Sequence, residues 1–212
     1  MPSLVTRFHL LLFGVTLAIA GVALIHVPEG YVFVAHWQGS TADWAWPRDI
    51  ALAVPPMVEL ALMGGFWLLG RRLSNKQLAD TRHILDPALT LALAIATACQ
   101  FALLMQGVGS DLDFFRATAF VLAGVLLVLA AVLFEAERHT YRGLRLPWPI
   151  ASERAWRLVH RLTGLSCAAL ACLLIWLGWM DAGAGPLVLA MGASLLAVPL
   201  LGATLSALTR RL

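Results

Sequence analysis

In a chain that is 60% hydrophobic and 13% charged, the residues able to do chemistry stand out by where they sit. Glu59 lies inside an apolar run, just after Pro55-Pro56. A carboxylate there is costly to bury charged, so it is expected to face the interior of a helix bundle. In that position it pairs, binds a proton, or makes a polar contact beside a proline-distorted turn. A second group lies between Gly143 and Gly164, in GLRLPWPIASERAWRLVHRLTG, which carries Arg145, Glu153, Arg154, Arg157, His160 and Arg161 with Trp148 and Trp156. His160 can hydrogen-bond, titrate or pack, and the arginines suit anionic headgroups or a ligand. A third group, His36, Trp37 and Asp43 with Trp44 and Trp46, falls between two apolar runs. Tryptophan favours a membrane interface, where its ring is apolar and its N–H reaches water.

Other combinations are weaker. His26 and His36 with Glu29 or Asp43 offer metal donors, but two histidines ten residues apart make no metal motif. Glu135 and His139 are four apart and share a helix face if the helix continues. With His160 they suggest a relay or metal cluster, yet they form no HExxH pattern, and an ion-paired helix end is the expected role. Ser152 and His160 are eight apart, and Ser152 reads as a helix N-cap rather than a nucleophile. No enzyme activity, cofactor or metal is expected.

The elements that position these residues follow from hydropathy. Six apolar stretches of membrane-crossing length run over about Leu10–Ile25, Ile50–Leu69, Pro87–Met105, Phe115–Phe134, Leu162–Met180 and Pro186–Leu208. The first also resembles a secretory signal, but no small-x-small cleavage site precedes a soluble domain, so it reads as a span. Between the first two spans, Tyr31–Trp37 alternates enough for a short strand or extended interfacial segment, and QGSTADW reads as a turn. Leu73–Leu85 reads as a polar loop, with Asp86 capping and Pro87 opening the third span. Pro147 and Pro149 stiffen a turn that sets Trp148. Beyond Ser152 a helix carrying Trp156, His160 and Thr163 on one face merges into the fifth span. Cys99, Cys167 and Cys172 lie in apolar runs and read as packing residues rather than disulfide partners.

Charge sorting sets an orientation. With both termini inside, thirteen of the fifteen Lys and Arg residues fall on the cytoplasmic side and only Arg48 and Arg116 outside, as the positive-inside rule requires. The excess of base is thereby topological, and nucleic acid is not an expected partner. The expected fold class is an all-α polytopic membrane protein with six transmembrane helices and both termini cytoplasmic.

Gly143, Arg145, Pro147-Trp148, Ser152, Trp156, His160-Arg161 and Gly164 resemble the C-terminal signature of the SdpI family, bacterial membrane proteins whose namesake confers immunity to a secreted killing peptide. Pro28, His36, Gly39, Asp43 and Pro55 resemble the DUF1648 region found in many members. Glu135, and Thr140-Tyr141 before Gly143, stand near places where the family carries Asn. The resemblance implies a DUF1648-like region over 1–110 with an outer loop at 27–49, and an SdpI-like region over 111–212 with a cytoplasmic signature loop at 135–161, joined in one membrane domain. It implies a tolerance factor in the bacterial inner membrane. A peptide toxin would meet His36, Trp37 and Asp43 at the outer face; Glu135, Arg145, Trp148, Ser152, Trp156, His160 and Arg161 would couple inward to a repressor or other protein. A competing expectation is a small proton-coupled permease using Glu59 and His160. Gly64-Gly65 and the alanine-rich spans also permit tight packing within one chain or in a homo-oligomer.

Overall fold

The structure, a computed structural model, describes residues 4–38, 41–136, 150 and 152–209. Its elements are α1 (Arg7–His26), β1 (Val32–Gln38), β2 (Thr41–Pro47), α2 (Arg48–Arg72), α3 (Asn75–Gly107), α4 (Phe114–Phe134), α5 (Glu153–Trp179) and α6 (Ala184–Leu208). Six helices among the described residues are long and apolar enough to cross a membrane. At about 1.5 Å per residue even the shortest, with 20 residues, matches a hydrocarbon layer roughly 30 Å thick. The protein is a polytopic, helical membrane protein, and its described residues include a two-stranded hairpin.

One local expectation needs correction. The stretch 75–85 is helix rather than loop: α3 runs 33 residues from Asn75. Its N-cap is Ser74, whose Oγ accepts from Gln77 N–H while the Gln77 side chain accepts from Ser74 N–H, a reciprocal capping box. Asp86 and Pro87 therefore lie inside α3, and Asp86 does not cap it. At the end of α4, the helix stops at Phe134 and Glu135 sits in the following turn, exposed. The expected partner of Glu135, His139, lies outside the described residues.

The chain resolves into two compact units, Met1–Thr118 with Asp181–Val188, and Ala119–Met180 with Leu189–Leu212. In the first, α1 and α3 pack together with α2 beside both. The buried residues of α1 are His9, Thr16 and Ala23, spaced by seven, and Leu93 and Gln100 on α3 keep the same interval. A repeat of seven keeps one seam of a helix facing its neighbour, as in left-handed coiled-coil packing. Hydrogen bonds fix the register: His9 meets Thr90 and Thr16 meets Thr97. Each partner is 81 residues further on, so α1 and α3 run parallel, and the connection through α2 returns antiparallel.

The hairpin closes one end of this bundle. Phe33 joins Ala23, Val27, Ala51 and Leu52 in a buried cluster, Arg48 N–H donates to Tyr31 O at 3.1 Å, and Tyr31 Oη–H donates to Gln106 O at 3.1 Å. The extended start expected for Tyr31–Trp37 is borne out as β1, but Thr41–Trp44, read as turn, belongs to β2. The antiparallel register pairs Val32 with Pro47, His36 with Trp44 and Gln38 with Thr41, and skips Ala35 on β1 and Asp43 on β2. These two extra residues are bulges, which re-aim the side chains around them.

In the second unit Gly164 on α5 faces α4. A Cβ there would stand 3.0 Å from Ala130 O and 3.3 Å from Phe134 N, so glycine is what lets the two backbones approach. Gly178 similarly faces the ring of Phe120, 2.9 Å from where its Cβ would be. Ile150, Ala155 and Val159 form a small buried cluster with Trp156 and Leu205.

Candidate functional site

Three groups of polar side chains are built by this fold. The first is at the hairpin end of the first unit. A cavity of about 310 Å³ is lined by Val34, Ala35 and Trp37 of β1, Ala102 and Gln106 of α3, the segment Ser110–Phe115, and Asp181, Gly183 and Ala184. Its lining carries three carboxylates, Asp111, Asp113 and Asp181, and no Lys or Arg among the described residues. The segment after residue 180 is seated by the β1 bulge. Gly183 has φ +88°, and a Cβ on it would approach Ala35 O to 2.8 Å, so backbone conformation and space both call for glycine. Asp181 also adopts a left-handed φ of 55°, a geometry that Asp tolerates better than most residues. Arg116 reaches Asp181 at 3.8 Å, while Asp113 Oδ1 accepts from Arg116 N–H and caps the start of α4.

Of the residues expected at this face, Trp37 lines the cavity and is 57% exposed. His36 and Asp43 pair with each other, Nδ1 to Oδ1 at 2.7 Å, across the hairpin. Asp43 is the bulged residue, which lets its carboxylate reach the imidazole. Among the described residues no three His, Cys, Asp or Glu side chains converge as metal ligands. The acidic lining was visible in sequence only as a count of charges between spans; the fold brings residues 111–113 and 181 to one place.

The second group lies inside the first unit. Glu59 is fully buried. Its Oε1 lies 2.7 Å from Thr16 Oγ1 and 3.0 Å from Thr97 Oγ1, and those two hydroxyls are 2.8 Å apart. Glu59 Oε2 is buried and makes no hydrogen bond. Seven residues back along both α1 and α3, His9 Nδ1 accepts from Thr6 N–H at 3.1 Å and Nε2 lies 2.9 Å from Thr90 Oγ1. An acceptor Nδ1 places the ring proton on Nε2, which then donates to Thr90. Asp86 Oδ1 is 3.5 Å from the same Nε2. An apolar layer of Leu12, Phe13, Met63, Leu89 and Leu93 separates the His9 and Glu59 levels.

The third group is in the second unit. Ser152 Oγ accepts from Ala155 N–H at 3.1 Å, so it caps α5 as expected. Trp156 stacks on His160 with ring centroids 4.1 Å apart and donates from Nε1 to Ala136 O at 3.2 Å. His160 Nδ1 donates to Trp156 O at 2.9 Å, and the ring is buried. The Arg161 guanidinium lies over the Phe134 ring, 5.3 Å from its centroid. Arg145 and Trp148 lie outside the described residues. Glu59 and His160, paired in the permease expectation, belong to different units and have separate partners.

Thr16, Thr97, His9 and Thr90 were not singled out as site residues from sequence. The available signal was their spacing: His9 to Thr16 and Thr90 to Thr97 are each seven residues in otherwise apolar helices. Comparison with protein-family models, curated proteins and solved structures found no match to this chain.

Proposed function

We propose that this membrane protein is a tolerance factor of the SdpI type that captures a cationic, membrane-active peptide at the hairpin end, oriented to the outside of the bacterial inner membrane. The observation that carries the reading is the cavity beside β1, whose lining combines three aspartates with the exposed indole of Trp37. Carboxylates attract a basic peptide and set its orientation, and an indole at an interface stacks on apolar or cationic side chains. The positive-inside bias supports the orientation, because only Arg48 and Arg116 of the fifteen Lys and Arg residues fall in the segments expected outside. In this reading the Trp156–His160 region belongs to the inward-facing coupling surface, where a repressor or other cytoplasmic protein would respond.

Expression in a peptide-sensitive bacterial strain tests the proposal. Survival should rise for at least one member of a panel of cationic membrane-active peptides, and Asp111→Asn/Asp113→Asn/Asp181→Asn should abolish the gain at equal membrane abundance. Protection by neither protein, or equal protection by both, would contradict it.

A further inference from the structure

The cluster around Glu59 contains more close oxygen contacts than hydroxyl protons to fill them. Thr16 Oγ1 lies within hydrogen-bond reach of Leu12 O (3.2 Å), Glu59 Oε1 (2.7 Å) and Thr97 Oγ1 (2.8 Å). Thr97 Oγ1 also meets Glu59 Oε1 (3.0 Å) and Leu93 O (3.0 Å). These are five contacts, and each threonine brings one proton. With Glu59 ionised, Thr97 can donate to Thr16 and Thr16 to Oε1, which fills the 2.8 and 2.7 Å contacts but leaves no proton for the 3.0 Å approaches of Thr97 to Oε1 and to Leu93 O. A proton on Oε1 fills a third contact: Glu59 then donates to Thr16, Thr16 to Thr97, and Thr97 to Leu93 O, along contacts of 2.7, 2.8 and 3.0 Å.

We propose that Glu59, with Thr16 and Thr97, is a proton-binding site in the membrane interior: the carboxyl holds a proton and donates it as a hydrogen bond to the threonine hydroxyls. The surrounding charges agree. From α1 the seam presents Thr16 and, two turns away, His9 as the Nε2–H tautomer; from α3 it presents Thr97, Gln100 and, near His9, Asp86. On α2 itself Arg48 is eleven residues distant and is engaged by Val27 O and Asp49. Among the described residues no Lys, Arg or His stands within ion-pair distance of Glu59. One turn along α3 from Thr97, Gln100 is fully buried with both amide atoms unpartnered.

A cation of sodium or calcium size fits the same oxygens poorly. Oxygens that share a hard cation octahedrally at about 2.4 Å stand roughly 3.4 Å apart, whereas the three side-chain oxygens here are 2.7 to 3.0 Å apart. The inference is independent of the proposed peptide capture. It concerns a different place in the unit and holds or fails without regard to toxin tolerance.

Infrared spectroscopy of the purified full-length protein tests it, comparing wild type with Glu59→Gln, which keeps the volume and a hydrogen-bonding amide. Near neutral pH the wild type should show a protonated-carboxyl C=O band that shifts in D2O, is lost in Glu59→Gln, and is unchanged when sodium replaces potassium. Thr97→Val should shift that band by altering its hydrogen bonding. A wild-type spectrum that differs from Glu59→Gln only in the carboxylate region, or a band that disappears on adding sodium, would overturn the proposal. Dicyclohexylcarbodiimide, which attacks protonated carboxyls in apolar surroundings, provides a second readout by intact mass. A single adduct mapping to Glu59 and absent from Glu59→Gln is expected, and an adduct that persists in Glu59→Gln would count against the site.

Discussion

The two compact units solve the same problem, holding apolar helices together where burial of apolar surface gives little drive, in opposite ways. Along the α1–α3 seam, polar side chains recur every seven residues and bond across it, His9 to Thr90 and Thr16 to Thr97, with Glu59 closing the second level from α2. Between α4 and α5 the contact is made by removing side chain: Gly164 brings α5 against Ala130 O and Phe134 N. Packing through glycine leaves no group able to exchange a proton. A hydrogen-bonded seam holds its helices with groups that can also change state.

Enlarging the glycine contact should have the largest effect. Gly164→Leu drives a side chain into backbone atoms that cannot yield, and should cost about 3 kcal/mol or more, read as loss of folded protein or a large fall in Tm. Gly14, around which a Cβ would meet nothing within 4 Å, provides the contrast: Gly14→Ala should leave Tm almost unchanged. Next in size is Gly183→Ala at the hairpin. Its φ of +88° and the 2.8 Å approach to Ala35 O predict a loss of roughly 1–3 kcal/mol, and faster proteolysis of the hairpin end would show it. Thr97→Val removes one hydroxyl from the Glu59 cluster and should lower stability by about 1–2 kcal/mol. Smallest is Arg116→Ala: its pair with Asp181 is 3.8 Å long and solvent-exposed, so a change within about 0.5 kcal/mol is expected in thermal unfolding.

The six spans were legible because a crossing helix needs a long apolar run, and that property is summed over many residues. Glu59 was legible as the one carboxylate deep in such a run. Its partners were not, since a threonine in a helix can satisfy its hydroxyl on the carbonyl four residues back, as Thr16 does on Leu12 and Thr97 on Leu93. A lone threonine thus carries no sign of a tertiary role. The start of α3 was misread because polar composition in 75–85 resembles a loop, although Ser74-x-x-Gln77 is a capping-box pattern. β1 alternates visibly, whereas β2 (TADWAWP) is disguised by small and turn-forming residues and takes its form from pairing with β1. The i, i+4 spacing of Trp156 and His160 placed them on one helix face, where the rings stack.

A double-mutant cycle across the seam tests most directly whether Thr16, Thr97 and Glu59 act as one hydrogen-bonded unit. Unfolding free energies would be measured for wild type, Thr16→Val, Thr97→Val and the double variant in the same detergent. Because both hydroxyls meet each other and the same carboxyl oxygen, the account predicts a coupling of about 1–2 kcal/mol, at the upper end for membrane-buried hydrogen bonds. Additivity within about 0.3 kcal/mol would contradict it.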